Sequence, residues 1–269
     1  MIKIILKNLK FSKISTIFNF VGLITAFTAF ILTMLYVWTE YHFDTYHKGA
    51  ENIYRLEIKS SGKEKTSVYM CGLTKDVISE QLSEVVATTT YMPWGKWGEY
   101  LFEWTKEGQK QQSYEDYAIA DKHLTDVFTF DFLRSVGASP LAEPNTAIVS
   151  EAFATKLWGT TDALNKTFRT NGEEYTVTAV FRAPPKNSLF DAPVIMAFPV
   201  NGWIAESYKS WGVVNFPEFI KVKPGISASE LQARINAIDI LKEKYDYLDK
   251  NSERAEIIAR PLTKLRFAK

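Results

Sequence analysis

One cysteine, Cys71, is all the sequence carries, so no disulfide can form within the chain. A lone thiol leaves the redox compartment undefined and reads as a small core residue. Histidine is nearly as scarce: His42, His47 and His123 share no compact ligand spacing. His42, Asp44 and His47 lie close in sequence, but two nitrogens and one carboxylate make a poor metal site, and no metal ligand is assigned. No stretch reads G-x-x-x-x-G-K-[ST]. Gly62-Lys63 lacks the upstream glycine and the strand-to-helix setting, which argues against ATP binding through such a loop. G-x-S-x-G and H-E-x-x-H are absent too. The adjacent carboxylates Glu115 and Asp116 fall in a predicted strand, where neighbours point to opposite faces, so they read as solvated surface rather than an acid–base pair. No catalytic residue and no cofactor emerges, and the chain reads as a non-enzyme. A basic excess is missing as well. The 32 Lys and Arg, four of them before residue 14, face 31 Asp and Glu. The remainder is mildly acidic, with no basic stripe for nucleic acid.

The most telling absence is local. From Ile14 to Thr39 there is no charged residue, with Lys13 in front and Glu40 behind. A helix rising about 1.5 Å per residue needs roughly 20 apolar residues to cross a hydrocarbon core about 30 Å thick. A cleaved signal would have a shorter apolar region ending at small residues. Here Ala26 and Ala29 are followed by Phe30, Ile31, Leu32, Met34 and Leu35. Residues 17–39 are therefore predicted to be a transmembrane helix. Lys3, Lys7, Lys10 and Lys13 precede it, whereas Glu40 and Asp44 follow at once. The positive-inside rule puts the amino terminus in the cytoplasm and everything after Trp38 outside. Trp38 and Tyr41 sit where an aromatic belt would meet the outer headgroups. Before the span, Ile2, Ile5, Leu6 and Leu9 oppose Lys3, Lys7 and Lys10 at helical spacing, so residues 1–16 read as a cytoplasmic amphipathic segment.

Beyond the span the helix is expected to continue through Tyr46 and break near Gly49. Ile53 to Lys59 alternates as a half-buried strand, a turn follows at Gly62, and Thr66 to Cys71 reads as a second strand. Leu73, Val77, Ile78, Leu82 and Val85 recur at helical spacing, and Val86 to Met92 returns to strand. Trp94 to Tyr117 is aromatic and strand-like, with a polar turn at Lys106 to Gln109. Trp94, Trp97 and Trp104 make a candidate contact surface, although such runs more often pair across a sheet. Leu124 to Leu133 reads as a short helix entering a strand. Thr146 to Val149 is a strand, and Ser150 caps a helix over Glu151 to Trp158 that Gly159 stops. Asn171-Gly172 joins Thr167–Thr170 to Glu173–Phe181 as a hairpin. Val194 to Phe198 and Phe219 to Lys223 are further strands. Ser227 to Glu230 forms a capping box. The helix it opens carries Leu231, Ile235, Ile238, Leu241, Tyr245 and Leu248 on one face, before a closing strand at Glu256 to Leu262. The fold class is mixed α+β: after the membrane helix comes an extracytoplasmic domain of two α/β subdomains. One is discontinuous, a β-α-β run built from 40–93 and 213–269; the other is inserted, a mixed α/β body over 94–212.

Several stretches carry a resemblance. The basic start, Asn19-Phe20-Val21-Gly22-Leu23, and DTYHKGAENIYRL from Asp44 to Leu56 resemble the MacB/FtsX-type ABC transporter permeases. So do Phe130-Asp131-Phe132-Leu133 with Gly137 and Leu141, the long stretch from Thr146 to Phe181, Pro185-Lys186-Asn187-Ser188, and Phe219 to Gly225. The resemblance implies the first membrane helix and the periplasmic core domain of a permease subunit in the bacterial inner (plasma) membrane. It implies a separate cytoplasmic ABC ATPase, a second permease subunit in a dimer, and in some relatives a periplasmic adaptor. It further implies a domain that transmits motion from that ATPase to substrate export or release. Relatives of this architecture carry at least three more membrane helices after the domain, so the 269 residues are expected to be a fragment of a longer permease or a truncated relative. The alternative is a single-span extracytoplasmic sensor, or a peptide- or lipid-binding module using the tryptophan-rich run.

Overall fold

The computed structural model describes residues 13–60, 65–248 and 255–267. Lys3, Lys7 and Lys10, the amphipathic segment before residue 13 and the turn at Gly62 lie outside the described residues. The chain divides into two compact units, 1–43 and 44–269.

In the first unit, helix α1 runs Lys13–Tyr41. Its apolar side chains are exposed on every side, from Ile14 and Phe18 to Leu35 and Trp38. A helix apolar all round has no solvated face, so its natural solvent is hydrocarbon. Three of its hydroxyls are closed off internally. The hydroxyls of Thr25, Thr33 and Thr39 each donate to the carbonyl four residues back, at 2.8 Å, as a lipid environment demands. Near the end of α1 the Trp38 ring stacks on His42 at 4.1 Å between centroids, and Tyr41 is exposed. The helix stops at Tyr41 rather than continuing through Tyr46.

The described residues of the second unit are built on a twelve-stranded mixed sheet. A 3-10 turn, Ala50–Asn52, leads into β1 (Ile53–Ser60). The expected strand from Thr66 survives only as β2 (Met70–Cys71), with Ser67 making a single bridge to Ile58. Helix α2 (Thr74–Gln81) returns the chain to β3 (Val85–Pro93). After a 3-10 turn, Trp94–Trp97, comes the hairpin of β4 (Tyr100–Lys106) and β5 (Gln109–Glu115). Glu107 and Gly108 both take positive φ, 52° and 77°, the two-residue geometry whose twist suits a hairpin. Strand β5 ends at Glu115, so Glu115 and Asp116 are not successive residues of one strand. Next are β6 (Ala118–Ala120), the short helix α3 (Leu124–Val127) and β7 (Phe132–Ser135).

The stretch from Thr146 follows its local signals closely. Strand β8 (Thr146–Ser150) ends where Ser150 Oγ accepts from the Phe153 amide at 3.2 Å, capping α4 (Glu151–Trp158). Gly159 closes that helix at φ 72°. Strands β9 (Thr167–Thr170) and β10 (Glu173–Phe181) turn at Asn171 and Gly172, with φ of 51° and 84°. Strand β11 (Val194–Ala197) and helix α5 (Gly202–Tyr208) follow, then β12 (Val214–Phe216) and β13 (Glu218–Val222). Ser227 caps α6 (Ala228–Asn236), its Oγ accepting from the Glu230 amide. The single helix expected here is two: α6 ends at Asn236, and α7 (Asp239–Leu248) begins three residues later. The Asn236 side chain explains the break. Its carboxamide takes the Ile257 amide at 2.9 Å and gives to the Ile257 carbonyl at 2.7 Å, binding the helix end to β14 (Ala255–Pro261). Leu231, Ile235, Ile238, Leu241 and Tyr245 are nonetheless all buried.

Strand order is β14-β1-β13-β3-β6-β11-β8-β10-β9-β4-β5, with β7 on β10 off the main path. Strands β14, β1, β13 and β3 come from the two ends of the domain, and those from β6 onward from its middle. Only β8–β10 and β11–β6 are parallel among the described strands. A separate two-stranded sheet joins β2 to β12. One core collects Tyr54, Leu56, Ile220, Leu231, Ile235 and Tyr245 between the end-derived strands and α6–α7. A second gathers Phe102, Phe153, Leu157, Phe168 and Val177 under α4.

Candidate functional site

The residues that open the second unit form a strap across the folded domain. Asp44 takes φ 53°, a left-handed conformation that Asp tolerates better than most residues. Its amide donates to the Asn187 carbonyl at 3.0 Å, and its buried carboxylate accepts from the Leu189 amide with both oxygens at 3.0 Å. Tyr46 Oη pairs with Ser188 Oγ at 3.0 Å; burial is the main force pushing that phenol's pKa up. His47 Nδ1 accepts from the Thr129 amide at 3.1 Å. The neutral ring therefore carries its proton on Nε2, which stands 3.6 Å from Asp44 Oδ1, too far for a hydrogen bond. The Lys48 amide in turn donates to Thr129 Oγ1 at 2.9 Å.

Beneath the strap lies a cluster of rings. His47 packs on Phe128 and Phe190; Phe190 also meets Tyr91, Phe128 and Phe130 at 4.5–5.1 Å between centroids. Phe128 continues to Phe219 on β13, and Phe130 to Phe181 on β10. Such contacts contribute about 0.5–1.5 kcal/mol each beyond burial. The strap is thus seated on strands from both the end-derived and the central parts of the sheet. Asp44 and His47 do have a joint role, but it is structural. Among the described residues, no group of three or more His, Cys, Asp or Glu could hold a metal.

A second polar cluster spans the two parts of the sheet. Lys75 on α2 is 4% exposed, with Nζ 3.1 Å from Asp121 and 3.2 Å from Asp76. Asp121 also takes Thr89 Oγ1 at 2.7 Å and the Thr90 amide at 3.0 Å, both from β3. Desolvation opposes the charge on Lys75, but Asp121 and the other acidic neighbours outweigh it and raise its pKa. Glu218 on β13 accepts from the Lys75 amide with Oε2, while its Oε1 has no partner among the described residues. Complete burial raises the pKa of this carboxyl well above the ordinary value, against the pull of Lys75. Tyr208 donates to Asp76 and lies so close to Gly72 that a Cβ there would come within 2.4–2.7 Å of Tyr208 atoms.

Glu57 on β1 makes a third. It is fully buried, and its Oε1 accepts from Arg55 Nε and Nη2 and from Arg260 Nε, while Oε2 takes Thr66 Oγ1. Burial works to raise its pKa, but the Thr66 and Arg55 hydrogen bonds and the cationic neighbours bring it below the ordinary carboxylate range.

Trp94 and Trp104 pack against the same core but line different clefts. Trp94 lines an apolar cleft of about 310 Å³ with Tyr91, Met92 and Phe216. Trp104 lines a different, charge-rich cleft beside Trp158, and its Nε1 donates to the Leu157 carbonyl at 2.9 Å. The Trp97 side chain lies outside the described set. Glu115 is half-buried and paired with Ser113 and Lys156, whereas Asp116 is exposed. Burial, with Glu99 and Asp191 nearby, raises the Asp116 pKa.

A helix apolar on every side, followed by a mixed-sheet body, defines a folded domain behind one candidate membrane anchor. A profile of the MacB-like periplasmic core domain matches residues 16–238, and the chain belongs to that family: it is the periplasmic domain of a MacB-like ABC-type permease, anchored to a membrane. A domain described as that of a permease protein from Porphyromonas gingivalis has the same fold, with TM-score 0.64 and 20% identity over 80% of this chain and 92% of that one. The periplasmic region of MacB from Actinobacillus actinomycetemcomitans matches at 0.48 and 11% identity, over 78% and 89%. The extracellular domain of the noncanonic ABC-type transporter YknZ from Gram-positive bacteria matches at 0.47 and 16%, over 77% and 100%. No curated protein gives a significant match.

The strap's parts stand far apart in the sequence, and no local signal joins them. DTYH, Phe130-Asp131-Phe132-Leu133 and Pro185-Lys186-Asn187-Ser188 are separate marks of resemblance. In the fold they, or their immediate neighbours, converge on one spot. Leu189, Phe190 and Thr129, which complete it, carry no signal beyond hydrophobicity and a hydroxyl.

Proposed function

We propose that this chain is the membrane-anchored extracytoplasmic portion of a permease subunit, carrying motion from a separate cytoplasmic ABC ATPase to the export or release of a substrate outside the membrane. The strap carries this reading. Only two residues, His42 and Phe43, separate Tyr41 at the end of α1 from Asp44, whose carboxylate is fully buried. In this reading a displacement of the helix is passed through that two-residue link to the hydrogen-bonded, ring-packed platform. The lysines before the span and the acids after it support an amino terminus in the cytoplasm and a domain outside the inner (plasma) membrane. The strand order supports a division into a discontinuous part, 40–93 with 213–269, and an inserted part, 94–212. Two permease subunits would flank one exit path, with a periplasmic adaptor as a further partner. The domain works by contact and load, without a catalytic residue.

The test uses the complete gene product. Affinity purification from membranes should recover an ABC ATPase subunit. In the reconstituted complex, Asp44→Ala should retain nucleotide hydrolysis while substrate release falls. Recovery of the permease without any ATPase, or unchanged coupling in a strap variant verified to be loosened, would overturn the proposal.

A further inference from the structure

The apolar cleft has the features of a ligand site. Its volume of about 310 Å³ lies at the small end of the range for small-molecule pockets, roughly 300–1,000 Å³, which suits one slender molecule rather than a peptide or a two-chain lipid. Tyr69, Met92, Trp94 and Phe216 supply an aromatic and aliphatic wall. Trp203 lines it as well, at the start of α5, with 62% of its surface exposed. A tryptophan left that open gives up apolar burial that a bound molecule would restore.

Charge decides the other end of the ligand. Among the described residues lining the cleft, Arg55 alone is charged. It shares Glu57 with Arg260, so among the described residues two guanidinium groups meet one carboxylate and one positive charge is left over. Arg55 Nε and Nη2 point to Glu57, and among the described residues no hydrogen bond is given to its Nη1 amino group, which can serve another acceptor. Tyr91, also on the wall, has a buried hydroxyl with no partner among the described residues.

We propose that this cleft binds a free anionic amphiphile: a single apolar chain held against Met92, Trp94, Phe216 and Trp203, with its negative head at Arg55. The site does not depend on the permease reading, since it needs neither an ATPase nor a second subunit.

The test is photolabelling of the full chain in lipid nanodiscs with a diazirine-bearing dodecanoate, followed by peptide mapping. Label should fall on the segments holding Tyr69, Met92–Trp94 and Trp203. Dodecanoate should compete about tenfold better than dodecanol, the factor expected of one charge-assisted contact at the low end of its range. Trp203→Ala, at an exposed position, should cut labelling severalfold without changing the melting temperature. The paired variant Arg55→Gln with Glu57→Gln, checked for native circular dichroism, should erase the preference for dodecanoate while dodecanol competes as before. Label confined to residues 13–41, equal competition by the two probes, or a preference that survives the paired variant would overturn the proposal.

Discussion

Replacing Asp44 with alanine tests how firmly the strap is held. The carboxylate is fully buried and takes the Leu189 amide on both oxygens. Its removal forfeits a charge-assisted hydrogen bond, about 1.5–3 kcal/mol, and leaves the amide of half-buried Leu189 without that acceptor. Alanine must also hold the φ of 53° that Asp44 adopts, adding roughly 1–2 kcal/mol. Together these give a loss of about 3–5 kcal/mol, the size seen when one partner of a buried polar pair is deleted. For a domain of 150–250 residues each kcal/mol moves the melting temperature by about 2–4 °C, so the shift should be roughly 6–20 °C. Calorimetry on the full chain in a fixed detergent would measure it. The control is Asp44→Asn, which keeps an acceptor for the Leu189 amide. Asparagine also tolerates positive φ, so this variant should lose only about 1–2 kcal/mol. A melting temperature for Asp44→Ala within about 2 °C of the parent, or an asparagine variant as damaged as the alanine one, would refute the reasoning.

Glu57 has its pKa depressed by Thr66, Arg55 and Arg260 against burial. Its contribution is therefore present above the unfolded value, near pH 4.3, and is lost as pH falls through the lower folded value. Glu57→Gln should flatten the acid limb of a melting-temperature profile while lowering stability at neutral pH. Glu218 behaves oppositely. Burial raises its pKa, so its stabilising share is complete below about pH 4.3 and wanes as pH rises toward the folded value. Glu218→Gln should raise the melting temperature at pH 8 and leave it nearly unchanged at pH 4. Cys71, whose thiol burial pushes up to about 11 against a Tyr245 hydrogen bond and with help from Glu218, should resist iodoacetamide at pH 7.5. Mass spectrometry should find it alkylated only after denaturation.

What was legible in the sequence was local. The hairpin at Asn171-Gly172 and the caps at Ser150 and Ser227 are fixed by backbone chemistry within a few residues, and each lies where its signal placed it. The charge-free helix needed only its length. Features settled by distant partners were not legible. The break between α6 and α7 depends on Asn236 reaching Ile257. Strand β2 is short because it pairs with β12, from the far end of the chain, instead of extending along β1. The continuation of the membrane helix through Tyr46 failed because Asp44 is claimed by Asn187 and Leu189, a contact no helical period can announce. For the tryptophans, the common feature was composition, whereas Trp94 and Trp104 belong to separate clefts.

Strand β3 has both of its edges occupied, by β13 over Val85–Thr90 and by β6 over Tyr91–Pro93. The end-derived and central strands are thereby laced through one uninterrupted length of backbone, and swinging them apart like a clamshell would tear ladder bonds. Torsion along that axle leaves the bonds intact. In the transmission proposed above, a push arriving through the strap and Phe190 at Tyr91 would then leave the domain as a twist.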